Sequence, residues 1–492
     1  MSKRDSTKRR IPLWAALAPV FFLIVSLGAT VMLYHAPPHQ ALIASTAVVV
    51  ALAKFLGIPW KQSIQGISGA IEMALPAVLI LMMVGILVGL WILGGIVPTL
   101  VVYGLKILTP KLFLPAACLS SAVVSLATGS SWSTAGTVGV ALMGIGSGLG
   151  MPPAMTAGAV ISGAYFGDKM SPLSDTTNLA PAVAGSDLFS HVRHMIYTTG
   201  PALLLALAAY TVLGFVEGSH AAQPSSVGPM LHTIHRSFWI HPVLLLAPAA
   251  VIAMVILKVP ALPALFAGAL LGALFAAVGQ GAGMGEILAA AQSGYHCATS
   301  VPAVDELFSR GGLVPMMETV GLILCALAFG GSMERSGLLG RLTEAVLTLV
   351  RGRGSLVAAT LASCVGMNVV AGDQYMAIVI PGRMYRPAFR RFGLAPKNLS
   401  RCLEDAGTLT SSLVPWNSGG AFMSATLGVA TVSYLPFAFL NLLNPVISLI
   451  YGITGATMTP LSAQELLADS DSDTLAGKDQ GQKQDPPLDG SE

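Results

Sequence analysis

Long apolar stretches, separated by short polar segments, dominate the pattern of this chain. A helix that crosses a bilayer needs about 20 predominantly apolar residues. By that measure the pattern predicts eight clear spans, at residues 11–34, 41–57, 71–93, 195–216, 240–257, 260–279, 313–332 and 432–452. The chain is therefore predicted to be an all-α polytopic membrane protein.

Two further regions, 112–182 and 355–428, have a different pattern, in which Gly, Ser, Thr, Asn and Pro interrupt the apolar runs. Non-helical backbone survives at membrane depth only where protein or a water-filled cavity satisfies its polar groups. We expect each region to hold a re-entrant hairpin followed by a broken crossing helix. This predicts about ten crossing helices plus two hairpins, with the functional site in the broken regions.

The two broken regions are related by a constant offset along the chain. An offset of 243 residues pairs Gly129 with Gly372 and Pro172 with Pro415. The segment 383–401 is strongly basic, whereas its counterpart 140–158 has no charged residue. Because basic loops remain in the cytoplasm, the counterparts are expected on opposite sides of the membrane. The halves are thus predicted to be inverted repeats, a design of secondary transporters.

These features predict how the chain is organised and placed. The segments are a basic cytoplasmic N-terminus (1–10), an N-terminal helical pair (11–62), the first inverted repeat (63–216), connecting loops and helices (217–310), the second inverted repeat (311–455) and a disordered cytoplasmic tail (456–492). The protein is expected to pass several times through a cell inner membrane with both termini in the cytoplasm. His191, Arg193 and His194 are expected in a cytoplasmic loop.

Composition agrees with a membrane location and excludes several function classes. Only 10% of the 492 residues are charged, against about 25% in soluble domains. A net charge of +3 offers no basic surface for nucleic acid. The sequence contains no P-loop, HExxH or GxSxG motif, so an ion gradient is the expected energy source. No cofactor is expected.

The first hairpin tip, within residues 127–134, carries oxygen atoms that suit a small hard cation. Hydroxyl groups come from Thr128, Ser130 and Ser131, and carbonyl oxygens freed at the ends of half-helices coordinate sodium in transporters. The same small hydroxyl residues also allow close packing of helices. The tip by itself therefore leaves both roles open.

The first broken helix, within residues 163–178, has a carboxylate in an oxygen-rich cluster. Asp175 lies among Ser174, Thr176, Thr177 and Asn178. A carboxylate at the bilayer centre costs about 2.5–3.5 kcal/mol on insertion scales, so such a residue is a functional candidate. Asp168 is adjacent to Lys169, and a local ion pair between them is the alternative to an ion-binding role.

The second broken region differs in detail from the first. Its hairpin tip carries Asn368 and Asp373, and its broken helix carries Glu404 and Asp405. Either acid could instead form an ion pair with Arg401. Asn417 and Ser418 flank the break and align with Ser174 and Asp175 at the same offset.

A carboxylate that is shared between sodium and protons gives a simple transport mechanism. Burial raises the pKa of a carboxyl group and a bound sodium ion lowers it, so the two cations compete for one site. Alternating access turns that competition into exchange. Asp175 and Asp373 are the leading candidates for this role, followed by Asp168, Glu404 and Asp405.

Three other functions remain as alternatives. A sodium- and proton-coupled organic-acid antiporter needs a cation for the substrate carboxylate, and Lys169 is the candidate. An intramembrane enzyme would need paired catalytic residues, and no such motif is present. A passive channel fits poorly with two inverted halves.

Three stretches resemble the NhaC family of sodium/proton antiporters: GSSWSTAGTVGVALMGIG, SGAYFGDKMSPLSDTTNLAPAVAG and PWNSGGAF. The resemblance extends over roughly residues 11–455 and is most specific at GDKMSPLSDTTN. It implies the fold of the ion transporter superfamily, a homodimer by analogy, and sodium and protons as transported partners in a lipid bilayer. It also implies an ion-site role for Asp168, Ser174, Asp175, Thr176, Thr177 and Asn178. Because the family includes members similar to malate/lactate antiporters, the resemblance indicates the transport class more firmly than the substrate.

Overall fold

The computed structural model describes residues 11–34, 36–218, 224–257, 259–299 and 301–461, and these fold into α-helices joined by short loops. The all-α prediction is confirmed. The helices are α1 (Leu13–Gly28), α2 (His39–Phe55), α3 (Trp60–Leu93), α4 (Ile96–Ile107), α5 (Pro110–Thr128), α6 (Ser131–Thr134), α7 (Val140–Gly148), α8 (Pro153–Met170), α9 (Asp175–Ala184), α10 (Leu188–Glu217), α11 (Pro224–Ser237), α12 (Leu246–Ile256), α13 (Ala261–Gly279), α14 (Met284–Ser293), α15 (Pro302–Phe308), α16 (Leu313–Arg335), α17 (Leu338–Leu347), α18 (Arg353–Val370), α19 (Gln374–Arg391), α20 (Pro396–Cys402), α21 (Ser418–Leu427), α22 (Thr431–Tyr434) and α23 (Phe439–Thr454).

Shorter turns of other helical types interrupt this series. Three are π-helical, at Ala29–Leu33, Ala135–Gly139 and Leu403–Thr408, and three are 3₁₀-helical, at Pro242–Leu245, Leu409–Leu413 and Leu435–Phe437. The π-turn at Leu403–Thr408 lies inside the second broken helix, and π-turns within helices are frequently found at functional sites. The candidate acids Glu404 and Asp405 both lie on it.

Six helices of the described residues are long and apolar enough to cross a membrane, or up to eight if each of two sharply bent pairs counts as one span. Four shorter apolar helices are also present, at Leu13–Gly28, His39–Phe55, Ile96–Ile107 and Phe439–Thr454. The chain is thus a multi-pass membrane protein, while the expected count of about ten spans stays a prediction.

The same order of elements occurs twice along the chain. A long helix (α3 or α16), a short helix, a helical hairpin and a broken helix follow one another in both halves. Glycines with positive φ lie at matching places 243 residues apart, pairing Gly129 (67°) with Gly372 (67°), Gly150 (73°) with Gly393 (66°) and Gly185 (83°) with Gly428 (70°). The division into two inverted repeats stays a prediction.

The two long helices α3 and α16 lie side by side and run in opposite directions. A Cβ atom on Gly66 would lie 2.3 Å from the carbonyl oxygen of Gly331, and one on Gly85 would lie 2.4 Å from that of Gly312. The beginning of α3 therefore meets the end of α16, and the reverse. Glycine at these positions allows the two backbones to touch.

The first hairpin packs tightly against the first broken helix. On α8, Gly163 and Gly167 are four residues apart and face α5 across a backbone contact. A Cβ atom on Gly163 would lie 2.0 Å from the carbonyl oxygen of Cys118, and one on Gly167 would lie 2.4 Å from that of Ala122. This small-residue stripe brings the tip of the hairpin next to the break in the helix.

The expectation for His191, Arg193 and His194 is wrong. All three lie on α10, which begins at Leu188 rather than at residue 195. The buried His191 Nδ1 is 2.8 Å from Ser400 Oγ, and the buried His194 Nε2 is 3.2 Å from Asn398 Oδ1. These histidines join α10 to α20, so they are packing residues with hydrogen bonds rather than loop charges.

Both predicted terminal segments fall largely outside the described residues, namely all of 1–10 and residues 462–492. The described beginning of the tail is bonded to the rest of the protein. Leu461 N donates to the carbonyl of Gly393 (2.8 Å), and Ala395 N donates to that of Thr459 (3.0 Å). The chain after α23 therefore packs on the loop between α19 and α20.

Candidate functional site

The two hairpin tips and the two helix breaks are built from matching caps. At the tips, Ser130 caps α6 by accepting from Ser133 N, and Asp373 caps α19. At the breaks, Ser174 caps α9 by accepting from Thr177 N, and Asn417 caps α21 by accepting from Gly419 N. These caps satisfy backbone donors at the start of each short helix.

Asp168 is the carboxylate that joins the first tip to the first broken helix. Its Oδ2 accepts hydrogen bonds from Ser131 N (3.1 Å) and Ser131 Oγ (2.6 Å). Its other oxygen, Oδ1, is buried and has no hydrogen-bond partner in the described part of the chain. Ser133 Oγ, on the same turn as Ser131, is likewise buried and without a hydrogen-bond partner among the described residues. The tip and the end of α8 therefore each carry one buried oxygen atom that no described group engages.

The remaining hydroxyl groups of the first region hold the loops in place. Thr128 Oγ1 is 3.4 Å from Thr134 Oγ1 across the tip. At the break, Ser174 Oγ is 3.2 Å from Thr176 Oγ1. Thr177 Oγ1 donates to the carbonyl of Lys169 (3.0 Å) and to that of Asp168 (3.2 Å). The exposed Asn178 donates to the carbonyls of Pro172 (2.9 Å) and Ser174 (2.6 Å).

Asp175 lies at the exposed edge of the site rather than in its interior. Its Oδ1 accepts from Thr176 N (2.7 Å), and its Oδ2 accepts from the hydroxyl of Tyr375 in the second hairpin. Tyr375 therefore links the break of the first half to the tip of the second half.

Asp373 has both oxygens engaged by neighbouring donors. Oδ1 accepts from Tyr375 N (2.9 Å) and Met376 N (3.2 Å), while Oδ2 accepts from Ser418 Oγ (3.1 Å). The side chain thus caps α19 and ties the second tip to the start of α21. Asp373 is buried, and this geometry is that of a helix cap.

Asn368 and Asn417 fasten the second hairpin to the second broken helix. Asn368 Nδ2 donates to the carbonyl of Gly407 (2.7 Å) and to Thr410 Oγ1 (2.9 Å). Asn417 Nδ2 donates to both the carbonyl and the side-chain oxygen of Asn368, each at 3.0 Å. These amides are engaged in structural hydrogen bonds.

Lys169 forms its ion pair with Asp405 and not with its neighbour Asp168. Lys169 Nζ contacts Asp405 Oδ1, and both side chains are fully buried. Asp405 Oδ1 also accepts from Thr198 Oγ1 (3.0 Å) and Asn444 Nδ2 (2.6 Å). Arg401 Nε lies 3.9 Å from Asp405 Oδ2. The sequence left open an ion pair of Arg401 with Glu404 or Asp405. The structure shows a long contact of this kind for Asp405.

Glu404 is a buried acid whose two oxygens have no hydrogen-bond partner in the described residues. It experiences the charges of Lys169, Asp168 and Asp175. An unpaired carboxylate is costly in a dry interior. We therefore expect Glu404 to be neutralised by a bound proton or a nearby cation.

All five candidate acids belong to one electrostatic cluster. Asp175 interacts with Asp168, Asp373 and Glu404, and Lys169 interacts with Glu404 and Asp405. Lys169 and Arg401 are the two basic residues paired within it. The cluster, defined as these seven residues, therefore carries more acids than bases and attracts cations. No group of three or more His, Cys, Asp or Glu with metal-binding geometry occurs among the described residues.

Several residues of the site escaped sequence reasoning. Tyr375, Thr198 and Asn444 each donate to a candidate carboxylate. Thr198 and Asn444 lie in spans whose other residues are mainly apolar. A polar side chain within such an apolar run was the sequence feature that could have identified them as site residues. Tyr375 lies two residues after Asp373 of the second tip, and this position in the sequence could have identified it.

Contacts between tip and broken helix recur at the 243-residue offset. Ser131 bonds to Asp168, and the residues at the offset, Gln374 and Ser411, are 3.2 Å apart between Oε1 and Oγ. Ser125 Oγ donates to the carbonyl of Ala164 (2.5 Å), and Asn368 at the offset donates to the carbonyl of Gly407. At this contact the second half has Ser411 in place of the carboxylate of Asp168.

Known proteins resemble this chain over most of its length. A family model described as the Na+/H+ antiporter family matches residues 163–456. The Na(+)/H(+) antiporter NhaC of Alkalihalophilus pseudofirmus is 39% identical over 419 residues, which cover 85% of this chain and 90% of that protein. The malate-2H(+)/Na(+)-lactate antiporter of Bacillus subtilis is 38% identical, covering 88% of this chain and 92% of that protein. The arginine/ornithine antiporter ArcD of Halobacterium salinarum is 37% identical, covering 94% and 96%.

Proposed function

Because this chain belongs to the Na+/H+ antiporter family, we propose that it exchanges sodium ions for protons across a membrane by alternating access. Membership of a family of antiporters makes the chain a transporter and not an enzyme. The observation that carries the proposal is Asp168, a buried carboxylate with one oxygen bonded to the first hairpin tip and the other without a hydrogen-bond partner among the residues that the structure describes.

In the proposed exchange, sodium and a proton occupy the same carboxylate in turn. Ser131 fixes the orientation of Asp168, so that Oδ1 remains available to the cation. A proton neutralises the same group when sodium leaves, since an uncompensated carboxylate is costly in a low-dielectric site. In this proposal Ser133, on the same turn as Ser131, supplies a further oxygen ligand.

The geometry favours Asp168 over Asp175 and Asp373 for the exchange. Asp175 is exposed and held by Tyr375, which suits a residue that receives the cation at the mouth of the site. Asp373 is engaged as a helix cap. Glu404 has two oxygens without a hydrogen-bond partner in the described part of the chain and interacts with the charge of Lys169, so it suits a second protonatable group.

The membrane arrangement is part of the proposal. We place both termini and the basic segment 383–401 in the cytoplasm of a cell with the protein in its inner membrane. The antiparallel packing of α3 against α16 and the recurring tip contacts support two inverted repeats that move relative to one another. A homodimer is proposed by analogy with the superfamily.

The test uses inside-out membrane vesicles from cells that lack other sodium/proton antiporters, with a dye that reports the pH gradient. Addition of sodium should dissipate the acidic interior with the wild type, and choline should not. Asp168→Asn should abolish the sodium response while the protein remains in the membrane in equal amount. A sodium response of wild-type size in Asp168→Asn would refute the assignment.

Antiport of organic acids is the second candidate, favoured by the similarity to a malate/lactate antiporter. Lys169 does not serve as a free cation for a substrate carboxylate, because Asp405 occupies it. The same vesicles distinguish the two functions. A sodium response that appears only after malate or lactate is supplied would favour the second candidate over simple exchange.

A further inference from the structure

A cavity of about 370 Å³ opens beside the second broken helix, away from the cluster of acids. Its wall includes Val84 of α3, Val140 of α7, Met316 of α16, and Ala425 and Thr426 of α21, with Arg310 at its rim. Thr426 Oγ1 is buried in the cavity wall and has no hydrogen-bond partner in the described residues. None of the transport residues named above lines this cavity.

Two stacked aromatic rings join the first hairpin tip to α21, the helix whose next turn lines the cavity. The ring centroids of Trp132 and Phe422 are 4.1 Å apart with an interplanar angle of 22°. Trp132 follows Ser131, which holds Asp168, and Phe422 lies one turn after Ser418, which bonds to Asp373. The next turn of α21, with Ala425 and Thr426, already lines the cavity. Both rings are buried.

The opposite side of the site is in a different state. The residue 243 positions after Trp132 is Tyr375, which is hydrogen-bonded to Asp175 instead of stacked on a ring. Asp175 is exposed, whereas its counterpart at the same offset, Ser418, is buried. Of these matching residues, Asp175 is exposed to solvent, whereas Ser418 and the ring pair of Trp132 with Phe422 are buried. The site is therefore open beside Asp175 and closed beside Phe422.

We propose that Trp132 and Phe422 form a gate that closes the site toward this cavity, and that the cavity is the vestibule for sodium on that side. The proposal rests on the proposed exchange function and adds the residues that control access. A layer of apolar rings stops a hydrated cation because it provides no ligand to replace water. Separation of the rings, as the two halves move, would connect the vestibule with Asp168.

The gate is tested by labelling single cysteines with a membrane-impermeant methanethiosulfonate reagent. The five native cysteines, all free, are first replaced in the full-length chain. Ser131→Cys then reports on the site side of the rings, and Ser293→Cys, at an exposed position of the cavity lining, on the vestibule side. Labelling is measured in vesicles of both orientations, so that each face of the membrane is exposed to the reagent in turn. Because labelling reports accessibility and not transport, a failure of the exchange proposal remains distinguishable from a failure of the gate.

From the vestibule side, Ser293→Cys should be labelled rapidly and Ser131→Cys slowly. Adding Phe422→Ala should raise the rate at Ser131→Cys by about tenfold or more, because the barrier of rings is gone. Trp132→Phe, which keeps two rings, should leave Ser131→Cys protected. The matched control is Phe439→Ala, which removes a ring 5.0 Å from that of Tyr210 in another part of the bundle.

Several results would overturn the gate. Labelling of Ser131→Cys from the vestibule side as fast as that of Ser293→Cys, with both rings intact, would show that no barrier lies between the two positions. If Phe422→Ala left the labelling rate at Ser131→Cys unchanged, the barrier would be formed by other residues. If Phe439→Ala raised the labelling rate at Ser131→Cys as much as Phe422→Ala does, the cause would be a general loosening of the bundle and not the opening of a gate.

Discussion

Lys169 and Asp405, separated by 236 positions in the sequence, form a fully buried ion pair that joins the two broken helices. Lys169 is the last basic residue of α8, next to Asp168, and Asp405 lies on the π-turn of the second broken helix. The pair thus connects the proposed exchange carboxylate of the first half with the acidic turn of the second half.

Removal of one partner of this pair should be costly. Lys169→Met leaves the buried Asp405 with only the long ion-pair contact to Arg401, at 3.9 Å, and should lower the free energy of unfolding by about 3–5 kcal/mol. Lys169→Met combined with Asp405→Asn removes both charges and should recover a large part of that loss. Unfolding in detergent micelles measures both. Two small and additive effects would show that the pair contributes little.

The close approach of α5 and α8 should tolerate no side chain at Gly163. Gly163→Ala places a methyl group where the carbonyl oxygen of Cys118 lies 2.0 Å away, and overpacking of this kind costs about 1–3 kcal/mol. Thermal unfolding of the purified protein should therefore occur at a lower temperature.

The matched control is Gly366→Ala, on the surface of α18, where an added Cβ would meet nothing within 4 Å. Alanine is favoured over glycine inside a helix by roughly 0.5–1 kcal/mol, so this variant should unfold at an equal or higher temperature. Equal destabilisation by the two substitutions would contradict the packing described for Gly163.

Asp373 should behave as a helix cap and not as the exchanging group. Asn is as good a cap as Asp, so Asp373→Asn should retain sodium-dependent proton movement, whereas Asp373→Ala should lose about 1 kcal/mol of stability. Vesicle assays and thermal unfolding distinguish the two effects. Loss of exchange in Asp373→Asn with stability unchanged would return Asp373 to the transport role.

The fold class follows from the sequence, and the prediction of a site in the two broken regions rests on interrupted apolar runs with acids in them, which have few other physical explanations. All five candidate acids do gather in one cluster. Their ranking could not be predicted, because the partners of Asp175 and Lys169 come from the other half of the chain. The local pair of Asp168 with Lys169, the alternative to an ion-binding role, does not form, because adjacent residues of a helix do not face each other and Lys169 pairs with Asp405.

The direct test of the central claim is proton release when sodium binds to the purified protein. In weakly buffered detergent solution, sodium should release protons from the wild type in a saturable manner, because the two cations compete for Asp168. Asp373→Asn should release protons as the wild type does, and Asp168→Asn should not. Sodium binding without proton release in the wild type, or undiminished release from Asp168→Asn, would contradict exchange at this carboxylate.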